Sequence, residues 1–282
     1  MDKYETLSYC GYACAKCKNY KQNMNCAGCR NETELISDCP TRVCAAERGF
    51  LHCGECAEFP CEQLKSFYNN GNPMRLKAYN NMLEIIEIGA DEWIIKQETY
   101  ELAEKALSIG FTGAVWLEKL EVECEARLRA YCNPEQCPNH GINWVCPPGC
   151  GSLEECAEKI RRYDKGMLLQ SVSELDPQKD NTERYKELNR LHNFRLRELI
   201  ETHVGNDIDI LALTSGGCVF CEKCAYPVPC VKPDLRMNSL SAYGIDVGKL
   251  CEIAGLEYSF RSDRVYYTAL ILVKEKKQLG NC

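Results

Sequence analysis

The sequence predicts an α+β chain in two parts. A small metal-stabilised, cysteine-rich N-terminal domain covers residues 1–95, and a mixed-sheet α/β sandwich carrying cysteine loops covers residues 96–282. Three observations predict this. Ten of the 22 cysteines lie between Cys10 and Cys61, in a stretch with few large aliphatic residues. A domain of roughly 60 residues with so little to bury does not hold together without a metal or another staple. From residue 97 onward, segments with helical period alternate with strand-like ones, the pattern of helices packed on a sheet of four or five strands. The other cysteines gather in two groups, six from Cys124 to Cys156 and four from Cys218 to Cys230, with Cys251 and Cys282 standing alone.

In the N-terminal part the cysteines form two quartets. Cys14-x2-Cys17-x8-Cys26-x2-Cys29 is followed by Cys39-x4-Cys44-x8-Cys53-x2-Cys56, and three of the four positions recur at an offset of 27 residues. Each quartet suits one tetrahedral thiolate site, which favours two zinc ions over iron–sulfur. Gly28 and Gly54 lie inside the second Cys-x2-Cys pairs, where a knuckle turn needs a residue that tolerates positive φ. Cys10 and Cys61 are left over, each able to replace a quartet member.

Residues 62–88 read as helix with a break at Asn69-Asn-Gly-Asn-Pro73, Pro73 opening the second segment. Leu76, Tyr79, Leu83 and Ile86 recur at three and four residues and suggest its packed face. Gly89-Ala-Asp-Glu92 reads as the boundary. A helix is expected over 97–109 through Tyr100, Ala103 and Leu107, then a strand or strand pair over 113–123. Ser152 is a candidate N-cap for a helix to Tyr163, with Glu154 and Glu155 in its first turn. A strand over 167–172, a polar turn over 176–182 and a long helix over 183–204 follow. Leu188, Leu191, Leu196 and Leu199 give that helix its inner side, and its basic residues alternate with Glu as on a solvated face. A strand over 208–213, a helix over 247–254 and an antiparallel pair over 256–260 and 264–273 complete the reading. The last strand is apolar enough to be central.

The two C-terminal cysteine loops carry the chemistry. Tyr131 to Cys150 holds Cys132, Cys137, Cys146 and Cys150 among four prolines and two glycines, so no helix or strand runs through it. A loop this long in a compact domain is usually functional. Cys132, Cys137 and Cys146 form the trio; Cys150 is the nearest fourth ligand, with Cys124 and Cys156 as rivals. Trp144 suits either a shield of a bound group from water or a core aromatic, and His140 reads as solvated rather than as a ligand. The second loop is Cys218-x2-Cys221-x2-Cys224-x5-Cys230, directly after a strand and Gly216-Gly217. A triple step with a distant fourth thiol is how a chain grips a cubane [4Fe–4S] cluster, one or two of which are expected here. Structural zinc usually shows two separated pairs instead. The glycine pair lets backbone N–H groups approach the sulfurs, which raises a cluster's potential.

Composition narrows the function. Among 282 residues the net charge is −7, which argues against a nucleic-acid partner. No apolar run reaches the length of a membrane helix. The N-terminus lacks the basic and apolar regions of a secretory signal, so a cytoplasmic protein is expected. In a reducing compartment 22 cysteines point to metal rather than disulfides, and with four histidines in the whole chain the ligands are overwhelmingly thiolate. Soft thiolates select zinc, copper(I) or iron–sulfur. So many oxidisable thiols suggest an anaerobic source.

Two family resemblances follow. Tyr9-Cys-Gly-Tyr-Ala-Cys14, Cys26-Ala-Gly-Cys29-Arg30 and Leu51-His-Cys53-Gly-Glu-Cys56-Ala-Glu-Phe-Pro-Cys61 make residues 5–95 resemble a cysteine-rich bacterial family, domain of unknown function 3795. That resemblance brings no activity. Asn143-Trp-Val-Cys-Pro-Pro148, the triple at 218–224, Cys230-Val-Lys-Pro233 and Ser239-Leu-Ser-Ala-Tyr-Gly-Ile-Asp-Val247 make residues 98–275 similar to a predicted metal-binding family, domain of unknown function 2284. It implies cysteine-bound metal at Cys132, Cys137, Cys146, Cys218, Cys221, Cys224 and Cys230, and supplies no substrate.

The expected function is an iron–sulfur redox protein passing electrons to a partner protein or a small-molecule substrate, with the N-terminal zinc module as a docking surface. The alternatives are a zinc-stabilised, non-catalytic adaptor, or a metal or cluster carrier using the spare thiols Cys10, Cys61, Cys150 and Cys156. There is no dinucleotide fingerprint, no phosphate-binding loop and no His-Glu-x-x-His. Cys10-x3-Cys14-x2-Cys17 has the spacing of radical chemistry on S-adenosylmethionine, but the residues up to 61 cannot supply the barrel that accompanies it.

Overall fold

The computed structural model describes residues 4–17, 20, 26–31, 39–117, 122–163, 165–204 and 209–274. Cys282 lies outside them, as do residues 118–121 of the strand expected over 113–123. The chain divides into two compact units, Met1–Tyr100 and Glu101–Cys282. Among the described residues no helix is long and apolar enough to cross a membrane.

In the first unit, α1 (Pro40–Glu47), α2 (Glu62–Tyr68) and α3 (Pro73–Ile88) surround the cysteine segments. The break between α2 and α3 falls where the Asn/Gly/Pro run places it. Asn72 caps α3 by accepting from the Met74 N–H at 2.9 Å, and Pro73 takes the first helical position. The buried face of α3 is Ala78, Met82 and Ile85, whereas Leu76, Leu83 and Ile86 are exposed. The apolar face expected at 76, 79, 83 and 86 is therefore rotated: only Tyr79 of that set packs inward, against Tyr68 and Phe59. Two small cores result. One joins Leu7, Met82, Ile85, Trp93 and Ile94; the other joins Cys10, Ala45, Cys53, Leu64, Tyr68 and Ala78. Thiols occupy part of the second core, where a metal-free domain would place aliphatics.

Helix α4 runs Ala90–Ile109, seven residues longer at its start than the sequence suggests, so Gly89 (φ +88°) separates two helices rather than two units. Of the expected face Ala103 packs against the core beside the buried Ala106, while Tyr100 and Leu107 are exposed.

The second unit is built on a mixed sheet of order β1-β2-β5-β3-β4: Gly113–Leu117, Lys165–Glu174, Arg264–Val273, Ile210–Thr214 and Asn238–Ser239. The β1·β2, β2·β5 and β3·β5 pairs are antiparallel, and the short β3·β4 pair is parallel. Strand side chains alternate between faces, and here both faces are buried. Leu168, Leu270, Leu272 and Leu213 face α6 (Leu153–Ile160), α8 (Val247–Ile253) and the 240–245 turn. Met167, Leu169, Ala269 and Ile271 face the end of α4 and α7 (Thr182–Leu199). Burying each such side chain fully contributes about 1.5–3 kcal/mol. β5 is central, as its apolar run requires, but residues 256–263 form no strand; β2 and β3 are the partners of β5. On α7, Leu188, Leu196 and Leu199 are buried as expected. Leu191 is 43% exposed, and His192 and Asn193 take the inward positions beside it. The helix continues as a π-helical turn, Ile200–Val204.

Candidate metal centre

The 218–230 loop leaves the sheet directly from β3. Ser215 pins its start to β5, its hydroxyl donating to the Thr268 carbonyl at 2.8 Å and accepting from the Thr268 N–H at 2.9 Å. Gly216 has φ +80°, and a Cβ on Gly217 would stand 3.2 Å from Asn139 Oδ1 on the other cysteine loop, so a side chain there would press the two loops apart. Cys218, Cys221, Cys224 and Cys230 together line one shallow recess. Lys232 and Arg236 line the same recess, as do Trp144, Val145 and Phe220. The Lys232 ammonium donates to the Phe220 carbonyl at 2.9 Å and so closes the loop's far end. Burial, together with the neighbouring Cys221, Cys224 and Cys230, pushes the Cys218 thiol pKa up.

The 131–150 loop is shaped by its own side chains. Asn133 accepts from the N–H groups of Glu135 and Gln136 (2.9 and 3.0 Å), and the Gly141 N–H reaches the Pro147 carbonyl at 2.8 Å. Asn143 accepts from the Val145 N–H at 3.2 Å. Trp144 donates its indole N–H to the Val228 carbonyl at 2.9 Å, and its ring meets Tyr226 edge-on with centroids 5.0 Å apart. The two cysteine loops, distant in sequence, therefore meet. Burial raises Cys146 to about 12, with Cys137 and Cys132 beside it; Cys132 is raised by burial and by Cys137.

Cys150 is drawn two ways. Cys146 lies near it, and so does Cys156: Cys150 Sγ donates to the Gly151 carbonyl at 3.7 Å and Cys156 Sγ to the Cys150 carbonyl at 3.8 Å, and the contact between the two thiols raises Cys150 and lowers Cys156. Arg129, on the short helix α5 (Ala126–Arg129), supports the lowered member. Its Nη1 is 3.8 Å from Cys156 Sγ and also donates to the Ala242 carbonyl, and Nη2 donates to the Gly151 carbonyl at 2.7 Å. Cys156 is positioned by α6, whose N-terminus carries a full capping box between Ser152 and Glu155. Cys124 stands near Cys156, raised to about 11 by burial. His140 is half-exposed in the same loop.

In the N-terminal unit, Cys14–Lys16 and Cys53–Glu55 are each a single 3₁₀ turn, closed by the Cys17 N–H on the Cys14 carbonyl (2.9 Å) and the Cys56 N–H on the Cys53 carbonyl (3.2 Å). Such a turn brings the two thiols of a Cys-x2-Cys pair to the same side. Gly28 has φ +88°, as a knuckle requires. Gly54 does not have positive φ; it is small because a Cβ would lie 2.7 Å from Ile86 Cγ1. Cys14 is raised to about 11 by burial, with Cys26, Cys10 and Cys17 as neighbours. Cys29 is raised to about 12 by burial, with Cys10, Cys14 and Cys39 nearby. Arg30 ties this segment together, donating to the carbonyls of Tyr4, Leu7 and Leu51 at 2.6–3.0 Å. Cys53 is raised to about 12 by burial and by Cys10, Cys61, Cys44 and Cys56. Cys44, Cys53, Cys56 and Cys61 line a second, shallow recess walled by Phe50 and Phe59. Cys39 lies before α1 on the Cys10 and Cys29 side. Cys10 and Cys61, left over in the sequence, thus stand among the other thiols. Their short spacings to Cys14 and Cys56 are the signal that places them there.

Every cysteine of the described residues carries a free thiol. Among the described residues no three Cys, His, Asp or Glu side chains already converge on a single ion position; the thiols ring recesses instead. Their chemistry fits soft metal: four thiols on one short loop with cationic side chains to offset thiolate charge, and four more around an apolar-walled recess.

Residues 6–66 match a family described as a protein of unknown function, domain of unknown function 3795. Searches of curated proteins and of solved structures give no significant match. Residues 115–273, more than half of the chain and the span holding both cysteine loops, match the family described as predicted metal-binding protein, domain of unknown function 2284, and the chain belongs to that family.

Proposed function

We propose that this chain is an iron–sulfur redox protein whose cluster-holding residues are the two cysteine loops of the second unit. The observation that carries the reading is the meeting of those loops over one recess. Cys218, Cys221, Cys224 and Cys230 line it, and Trp144 and Val145 of the other loop cover it. A [4Fe–4S] cluster bound there supplies one-electron transfer. The four thiolates are its donors. Lys232 and Arg236 offset their negative charge, and Trp144 and Phe220 keep water from the sulfurs. Cys132, Cys137 and Cys146, with Cys150 as the fourth donor, hold a second cluster. The Trp144–Tyr226 contact joins the two loops, and electrons leave to a partner protein or a small-molecule substrate. The N-terminal thiols hold two zinc ions. Cys14, Cys17, Cys26 and Cys29 form the first site, and the second is drawn from Cys39, Cys44, Cys53, Cys56 and Cys61. A reducing cytoplasm suits this many free thiols.

The test is anaerobic purification with counts of iron, acid-labile sulfide and zinc, followed by reductive titration. Four irons and four sulfides per cluster with reversible bleaching are expected. Stoichiometric zinc without sulfide would return the zinc-adaptor reading instead.

A further inference from the structure

We propose that the second N-terminal site is built from Cys44, Cys53, Cys56 and Cys61 and takes one zinc ion, and that Cys39 is not among its ligands. This deepens the zinc reading above and rests on it.

The quartet in the sequence groups Cys39 with Cys44 across a four-residue gap, although Cys39 is the one member that the 27-residue offset does not repeat. That gap is the first turn of α1: the Val43 N–H bonds to the Cys39 carbonyl at 3.0 Å, and Cys39 is the extended N-cap before Pro40 (ψ 113°). Cys39 does not line the recess that takes Cys44. Cys44 faces the recess that Cys53 and Cys56 line. The start of α1 is tied the other way, Arg42 donating to the Cys29 carbonyl at 3.0 Å.

Cys61 supplies the missing side. After the Cys53–Cys56 turn, the Phe59 N–H bonds back to the Cys56 carbonyl at 3.0 Å, folding the chain over itself. Cys61 then stands at the N-cap of α2, its carbonyl accepting from the Lys65 N–H at 2.9 Å. The backbone is thus held on both sides of Cys61, and the thiol faces the same recess as the other three. Phe50 and Phe59 close the remaining walls. Four thiolates with no vacant position make a closed structural zinc site. They would carry two negative charges beyond the ion's, and Arg48 answers one of them, its Nη1 standing 3.7 Å from Cys56 Sγ.

The experiment uses the full chain, prepared without oxygen, with zinc and iron counted in the wild type, Cys44→Ser, Cys61→Ser and the double variant. The wild type should hold two zincs. Each single variant should lose one, the double should lose no more than either single, and iron should stay constant. Retention of both zincs in Cys61→Ser, or loss of both in the double variant, overturns the ligand assignment alone. A wild type without zinc overturns the zinc reading and this inference together. Should the variants not accumulate, thiol labelling of the native chain during chelation decides. Cys44, Cys53, Cys56 and Cys61 are expected to become reactive in one kinetic phase; Cys61 reacting before chelator is added overturns the proposal.

Discussion

Trp144 Nε1 and the Val228 carbonyl, 84 residues apart in sequence, are hydrogen-bonded at 2.9 Å. That bond joins the loop carrying Cys132, Cys137 and Cys146 to the loop carrying Cys218 to Cys230, and it sets an indole ring over the thiols of the second loop. A tryptophan is suited to the task, since its ring excludes water and its N–H needs one acceptor.

Trp144→Phe keeps an aromatic cover and removes that hydrogen bond, a net loss of about 1 kcal/mol. Release of metal from the 218–230 loop to a chelator should then quicken by about fivefold. Trp144→Ala should be faster still, because the cover is lost as well. Equal release rates in all three proteins would show that Trp144 does not guard the recess.

Cys221→Ser should remove one cluster's iron and leave the rest. Cys251→Ser should leave all of it, since Cys251 is fully buried in the sheet–helix core, with Gln170 Nε2 donating toward its sulfur at 3.7 Å. Anaerobic iron analysis separates the two. Full iron in Cys221→Ser would remove the cluster assignment from this loop.

His192 makes the second unit acid-sensitive. Its ring is fully buried, Nδ1 lies 2.9 Å from Ser171 Oγ, and Nε2 has no hydrogen-bond partner among the described residues. Burial drops its pKa from the ordinary 6.5 to about 3. The unfolded chain takes up the proton first, so the stabilisation is present above pH 6.5 and is lost as pH falls toward 3. The slope approaches about 1.4 kcal/mol per pH unit. Denaturation midpoints between those pH values should follow it, and His192→Gln should flatten this component whatever it does to absolute stability.

The inward face of α7 can be tested with two truncations. Leu196→Ala removes a fully buried side chain and should cost about 2–5 kcal/mol. Leu191→Ala should stay within about 0.5 kcal/mol, because that side chain is largely exposed. Comparable losses in urea unfolding would place Leu191 in the core.

The sequence alone determined the kinds of element and the kind of chemistry. Strand composition picked out β5 as central, Ser152 marked a helix N-cap with Glu154 and Glu155 in the first turn, and the spacing at 218–230 identified a single thiolate loop. These are local properties, readable because a cap, a turn or a Cys-x2-Cys step depends on a few neighbouring residues. Tertiary structure decided which face of each helix is buried and which thiols share a recess. The periods through Leu76, Leu83 and Leu107 were helical, yet the core took the adjacent faces through Ala78, Met82 and Ala106, and on α7 only Leu191 left the expected face. A helix shows its apolar residues to every candidate partner, and the shape of the packing surface selects among them. The same holds for sulfur: the quartet spacing grouped Cys39 with Cys44, and it is Cys61 that lines the recess with Cys44, Cys53 and Cys56. The approach of Trp144 to Val228 joins residues 84 apart, which no short stretch of sequence encodes.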